Sequence, residues 1–363
     1  MRIFNCSHCG CVVFFDSTQC VNCGHELAFV PETLDMAAFQ PAADGTPGVW
    51  EPVAAGTDAA APSRWRMCDN RTDYNACNFA VPDDGGDGEH MCASCRQTRL
   101  APDLSKPENL FRWTALESAK RRLYYTLARL GLENIEGEEG PAFQFLEDLP
   151  GEPPVLTGHA NGLITVNVAE ADDDERARRR LELGEPYRTL LGHMRHESGH
   201  YFWDVLVLRG GQEEAFRAVF GDERQDYAQA LQDHYAQGPR ADWQTAFVSA
   251  YAASHPWEDW AETWAHYLHM VDLLETAASY QAQVTIPGAQ GLQHTVAIDP
   301  LGTPAPDFDA MLLCWTPFTL LLNSLTRSLG QQDAYPFALP PAALAKLRFV
   351  HDLVRSRTSL QKT

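Results

Sequence analysis

His196-Glu197-Ser198-Gly199-His200 sets two histidines four residues apart, with a glutamate directly after the first. On a helix, positions i and i+4 share a face one turn apart, so both imidazoles can hold one metal ion while Glu197 points at a water beside it. The flanking sequence fits a helix. Pro186 suits a first turn beginning near Glu185 after the break at Gly184, the pattern can run through Leu208, and Arg209-Gly210-Gly211 end it. Leu190, Leu191, Met194, Phe202, Trp203 and Leu206 give apolar surface on more than one side, which predicts a buried helix in the middle of a domain.

A hydrolytic metal site takes three protein donors and keeps one position open. Position 206 is Leu206 and no G-x-x-H extension follows the motif, so the third donor is not a nearby histidine. A second helix is announced by Ser254-His255-Pro256 and reads Trp257-Glu258-Asp259-Trp260-Ala261-Glu262, with apolar positions at helical spacing through Leu268. Glu258 and Glu262 lie four apart, so one can bind the ion while the other fixes the tautomer of a ligating imidazole. Spacing leaves the order open. Asp204, four residues after His200, is a further candidate to orient an imidazole, while His193, His266 and His269 read as core or surface residues. Two histidines and a carboxylate also suit non-haem iron, and the domain could be a non-catalytic zinc-dependent scaffold. Glu197 favours zinc hydrolysis, since a metal-binding relic has no need of a base between its ligands.

Nine of the ten cysteines fall in the first 100 residues, eight of them in two sets of four. Cys6, Cys9, Cys20 and Cys23 form C-x2-C-x10-C-x2-C, with Gly10 and Gly24 after the pairs and Val12 to Phe15 suited to a short hairpin: a zinc ribbon with a closed four-thiolate site. Residues 41–66 read as a linker. Cys68, Cys77, Cys92 and Cys95 predict a second structural zinc, with an acidic loop at Asp83 to Gly88 and His90 as an exposed loop histidine or a substitute ligand. Cys11 and Cys314 are left as bystander thiols.

From Glu108 to Leu130 the apolar spacing is helical and Gly131 closes it, with Lys120 to Arg122 expected on its solvated face. Gly158 to Gly162 predicts a turn, Leu163 to Val168 a strand that could offer its edge to an extended substrate, and Glu170 to Glu175 an acidic loop. Two helices follow at Met311 to Leu329 and Pro341 to Val354.

The 363 residues are 45% hydrophobic with a formal net charge of -21, a globular composition whose acidic field disfavours binding to nucleic acid. The first residues lack an apolar leader, and no run of 18 apolar residues occurs, so no membrane association and a cytoplasmic location are expected.

The pair of helices, with H-E-x-x-H followed some sixty residues later by E-x-x-x-E, resembles the gluzincin branch of the zincin metallopeptidases. That resemblance implies Glu258 as the ligand, Glu262 as its neighbour behind an imidazole, and Tyr251, seven residues before Glu258, as a donor to the oxyanion. Thr157 to Gly162, Tyr187 to His193, the motif and His255 to His269 resemble the bacterial zinc-binding metallopeptidases that carry an N-terminal zinc ribbon, over nearly the full chain. The expectation is a mainly α, α+β zincin-like domain over residues 107–363, preceded by a ribbon at 1–40 and a second cysteine module at 67–106. It would hold one catalytic and about two structural zinc ions, and cut a peptide or protein substrate with zinc-activated water and Glu197 as general base.

Overall fold

The computed structural model describes residues 1–53, 64–86, 88–133, 140–183, 187–288 and 291–360. The chain divides into two compact units, Met1–Thr157 with Thr165–Asp173, and Gly158–Ile164 with Asp174–Thr363.

In the first unit, β1 (Phe4–Asn5) pairs antiparallel with β2 (Val12–Val13). The hairpin therefore encloses the first cysteine pair instead of lying within Val12 to Phe15. The reversal depends on Gly10, whose φ of 72° is left-handed and whose N–H donates to the Cys6 carbonyl at 2.9 Å. Next, β3 (Glu26–Val30), β4 (Asp35–Pro41), β5 (Val49–Pro52), β6 (Trp65–Met67) and β7 (Ala80–Pro82) form a five-stranded antiparallel sheet in sequence order. β5 lies in the stretch expected as a linker. Val49 and, at the start of β6, Trp65 are buried, so a short apolar segment hidden among Ala, Gly and Pro joins a sheet.

In the second cysteine set Cys68 precedes α1 (Asp69–Thr72), Cys77 precedes β7, Cys92 caps α2 (Ala93–Arg96) and Cys95 lies on it, and β8 (Thr98–Leu100) pairs in parallel with β9 (Ala142–Leu146). Between those strands runs α3 (Pro107–Arg129), opened by proline in its first turn. Tyr124, Tyr125 and Ala128 of α3 share one core with Phe4, Phe15, Phe29, Phe79 and six of the eight paired cysteines. That core draws on residues from both sides of the expected breaks at 40, 66 and 107. The basic run of α3 is not a solvated face. Lys120 is fully buried, 2.9 Å from the equally buried Glu117, and Arg121 donates to the Ala76 carbonyl, because α3 is covered on more sides than its periodicity requires. The expected acidic loop is also structured: Val168–Ala171 is a 3-10 turn with Glu170 buried, followed by α4 (Asp173–Leu183).

The second unit opens with β10 (Gly158–Ala160), which turns through Asn161 and Gly162, both at positive φ, into β11 (Leu163–Asn167), whose last three residues are counted with the first unit. β11 has a neighbour on each side, β10 and β9, so the exposed edge expected of it belongs to β10. The motif helix, α5 (Leu190–Phe202), starts five residues later than expected, because the Thr189 side chain caps it by accepting from the Gly192 N–H at 3.0 Å. Gly184 to Pro186 lie outside the described residues. The helix continues as a π turn over Trp203–Leu208 and ends where Arg209 to Gly211 predicted.

Three helices follow, α6 (Glu213–Phe220), α7 (Tyr227–Gln237) and the short α8 (Trp243–Ala246), and lead to α9 (Pro256–Ser279), capped by the His255 side chain accepting from the Trp257 N–H. A hairpin of β12 (Gln283–Gly288) and β13 (Gly291–Val296) precedes α10 (Phe308–Ser328) and α11 (Pro341–Leu360). By length and composition α10 could cross a bilayer, a test that core helices also pass, and Met311, Cys314, Trp315, Pro317 and Phe318 are buried within the unit.

Candidate metal centre

α5 and α9 cross at Gly199. A Cβ there would stand 2.9 Å from the Ala261 Cα, so only glycine permits this approach. The contact is locked by Trp260, whose indole N–H donates to the Gly199 carbonyl at 2.7 Å, and by Trp264, which donates to the Ser198 hydroxyl at 3.1 Å. Those two tryptophans are fully buried, and they set the distance between the imidazoles of α5 and the carboxylates of α9.

The donors converge. His196, His200 and Glu258 each offer a ligand atom, all within 4.8 Å of one another. His196 Nε2 is 3.0 Å from one Glu258 oxygen, and His200 Nε2 is 3.7 Å from the other. His196 Nδ1 lies 2.7 Å from Glu262 Oε1, and since a carboxylate only accepts, Nδ1 carries the proton. In the neutral ring Nε2 is then a lone pair facing a carboxylate lone pair. Only a cation or a second proton between them makes that contact favourable. Burial opposes charge on His196, but Glu258 and Glu262 together hold its pKa well above the ordinary value, as expected when the proton stands in for the cation. Burial also works against the Glu258 carboxylate, yet His196 and His200 bring it down to about 2. Two imidazoles and a carboxylate at these separations fit a tetrahedral zinc with one open position.

Glu262 is differently placed. One of its oxygens is used by His196 and the other accepts from the Ser249 hydroxyl at 2.6 Å. Glu258, in turn, accepts from the Tyr227 hydroxyl at 2.6 Å.

Both cysteine sets also converge. In the first, Cys6 to Cys23 and Cys9 to Cys20 are 3.7 and 3.6 Å apart between sulfurs, and in the second, Cys77 lies 3.8 Å from Cys92 and 3.7 Å from Cys95. A tetrahedron of thiolates 2.3 Å from zinc has edges of about 3.8 Å. All four thiols of the second set are buried, and backbone N–H groups of Cys92, Cys95 and Phe79 point at the Cys68, Cys92 and Cys77 sulfurs. Burial raises the Cys92 thiol well above its usual pKa, so a cation is what would keep this cluster deprotonated. His90 is not part of the cluster; it sits beside Asp69.

Comparison with known families places both halves. Residues 109–353 match a family model described as "Putative zinc-binding metallo-peptidase", and residues 3–106 match a zinc-ribbon domain. The chain belongs to this zinc-binding metallopeptidase family. Uncharacterized proteins of Mycobacterium bovis and of two strains of Mycobacterium tuberculosis are 39% identical to it over 98% of this chain and 95% of their own length. No solved structure matches it.

Around these converging donors, Tyr251 lies on a 3-10 turn with its ring 5.9 Å from that of His196, and burial, then the Glu258 charge, raises its pKa so that the phenol stays protonated. Glu197 is half-buried on α5, and its charge adds to the upward push on both Tyr227 and Tyr251. Asp204 falls on the π turn, and among the described residues no hydrogen bond joins its carboxylate to an imidazole. Burial raises its pKa. His266 and His269 are held in the core by Tyr335 and Arg195. Sequence reasoning missed Tyr227, Ser249 and His159, whose ring stacks on His200 with centroids 6.1 Å apart. No local pattern distinguishes Tyr227 or Ser249, while His159 lies in a turn segment that carries the family resemblance without a spacing that marks it as a site residue.

Proposed function

We propose that the second unit is a zincin-like peptidase of the gluzincin kind, with His196, His200 and Glu258 holding one zinc. The observation that supports it most is the pair of lone pairs, on His196 Nε2 and Glu258, set 3.0 Å apart in a buried site. When bound, the ion supplies a Lewis acid that acidifies a water and polarises a peptide carbonyl. Glu197 takes the proton of the attacking water and delivers it to the leaving amine. Tyr251, kept protonated by burial, donates to the carbonyl oxygen as negative charge develops there. Glu262 and Ser249 hold the His196 tautomer, and Tyr227 holds the Glu258 carboxylate. The edge of β10 carries His159 beside His200, so an extended peptide paired there would run past the metal. The two cysteine clusters bind one structural zinc each.

A cleavage-site profile over a peptide library tests this reading, comparing the native chain with Glu197→Gln. The substitution removes the base and keeps the ligands, so zinc content should be unchanged and cleavage should fall by roughly two to four orders of magnitude. Equal cleavage by both would end the hydrolytic reading.

A further inference from the structure

One further cluster of metal-binding side chains lies outside the hydrolytic site and sets two imidazoles beside a sulfur of the first four-thiolate centre. His8 lies within the first cysteine turn, between Cys6 and Cys9, and His25 follows the second turn directly after Gly24. The two turns bring these imidazoles together with ring centroids 4.3 Å apart. His25 Nδ1 lies 3.4 Å from Cys23 Sγ, and one donor atom each of His8, His25 and Cys23 falls within 4.8 Å of the others. His8 is exposed and Cys23 and His25 are partly so, which gives an ion a path from solvent.

We infer that the first ribbon carries a second metal locus, formed by His8, His25 and the Cys23 sulfur, for a divalent transition ion of the zinc, cobalt or nickel class. Two imidazoles and a thiolate are the donor set such ions prefer over magnesium or calcium. Cys23 is shared. A zinc held by four thiolates carries a net charge of -2 (+2 from zinc, -4 from sulfur), and a second cation bridged through one sulfur neutralises it. The imidazoles bind as neutral bases, so the step is coordination alone and displaces water. The 3.4 Å between His25 Nδ1 and Cys23 Sγ matches the N–S edge of a tetrahedral site, about 3.6 Å, and the exposed His8 side chain is free to turn towards the same ion.

Equilibrium dialysis of the full chain against micromolar zinc, with metal counted per chain, tests this directly. The native protein should hold one ion more than the His8→Ala/His25→Ala variant. Cobalt added to zinc-loaded native protein should raise a sulfur-to-cobalt absorption band that His25→Ala lacks. His8→Gln, at an exposed position, should lose the same ion with an unchanged melting temperature, which separates loss of the locus from loss of the ribbon. The one-ion difference should persist in a His196→Ala background that has lost the hydrolytic metal, so the two sites stand or fall separately. Equal counts in native and double-variant chains, or a bound cobalt without the sulfur band, would overturn the inference.

Discussion

At the scale of single residues, the two glutamates of α9 differ by what already occupies their oxygens. Glu262 spends both on His196 and Ser249, whereas Glu258 faces both imidazoles. Glu258→Ala should therefore release the hydrolytic zinc, and Glu262→Ala and Tyr227→Phe should each weaken it by only about 10-fold to 100-fold, the usual loss when a partner behind a ligand goes. Competition with a chromophoric chelator measures all three, and the reverse order would exchange the glutamates' roles. His266 offers a pH signature away from the metal. Burial holds its pKa at about 4 while its hydroxyl partner is Tyr335. The unfolded chain binds this proton near pH 6.5 and the folded chain only near pH 4, so stability should decline as pH falls across that interval. Denaturant titrations at several pH values should show a shallower decline in His266→Gln than in the native chain.

At the scale of elements, the crossing of α5 over α9 fixes the site. Gly199→Ala would drive a methyl into the Ala261 backbone, which has no flexible side chain to yield. The cost of such overpacking is about 1–3 kcal/mol, and the helices must part to relieve it. Melting temperature and zinc affinity should therefore fall together, although Gly199 touches no ligand. An unchanged zinc affinity at lowered stability would show that the spacing of the two helices does not control the donors. The π turn over Trp203–Leu208, which begins three residues after His200, continues the same helix and carries Asp204 without a hydrogen bond to an imidazole among the described residues.

For the whole molecule, metal should be lost in stages. The hydrolytic site has three protein donors, with the side chains of His196 and His200 14% and 16% exposed. The first ribbon closes with four thiolates, two of them partly exposed, and the second cluster is buried throughout. Progressive chelation should remove the hydrolytic ion first with circular dichroism nearly unchanged, then the ribbon ion, and the buried cluster's ion last, with unfolding of the first unit. Mass spectrometry under native conditions reads the order. Simultaneous loss of all ions would contradict the separation of the sites.

Much of this was legible in the chain itself. The H-E-x-x-H spacing, the paired glutamates of α9, the cysteine pairs and the helices at 107–129, 308–328 and 341–360 are local, because donor spacing within one element follows from its 3.6-residue period. The tertiary structure alone decided what depends on the approach of distant segments. It set Glu258 against both imidazoles, an order that spacing left open and only the family resemblance implied, brought in Tyr227 and Ser249, buried Lys120 beside Glu117, and joined both cysteine sets with α3 in one core. The physical reason is that periodicity says which face of a helix is apolar, whereas the packing of Gly199 on Ala261 decides which side chains that face meets.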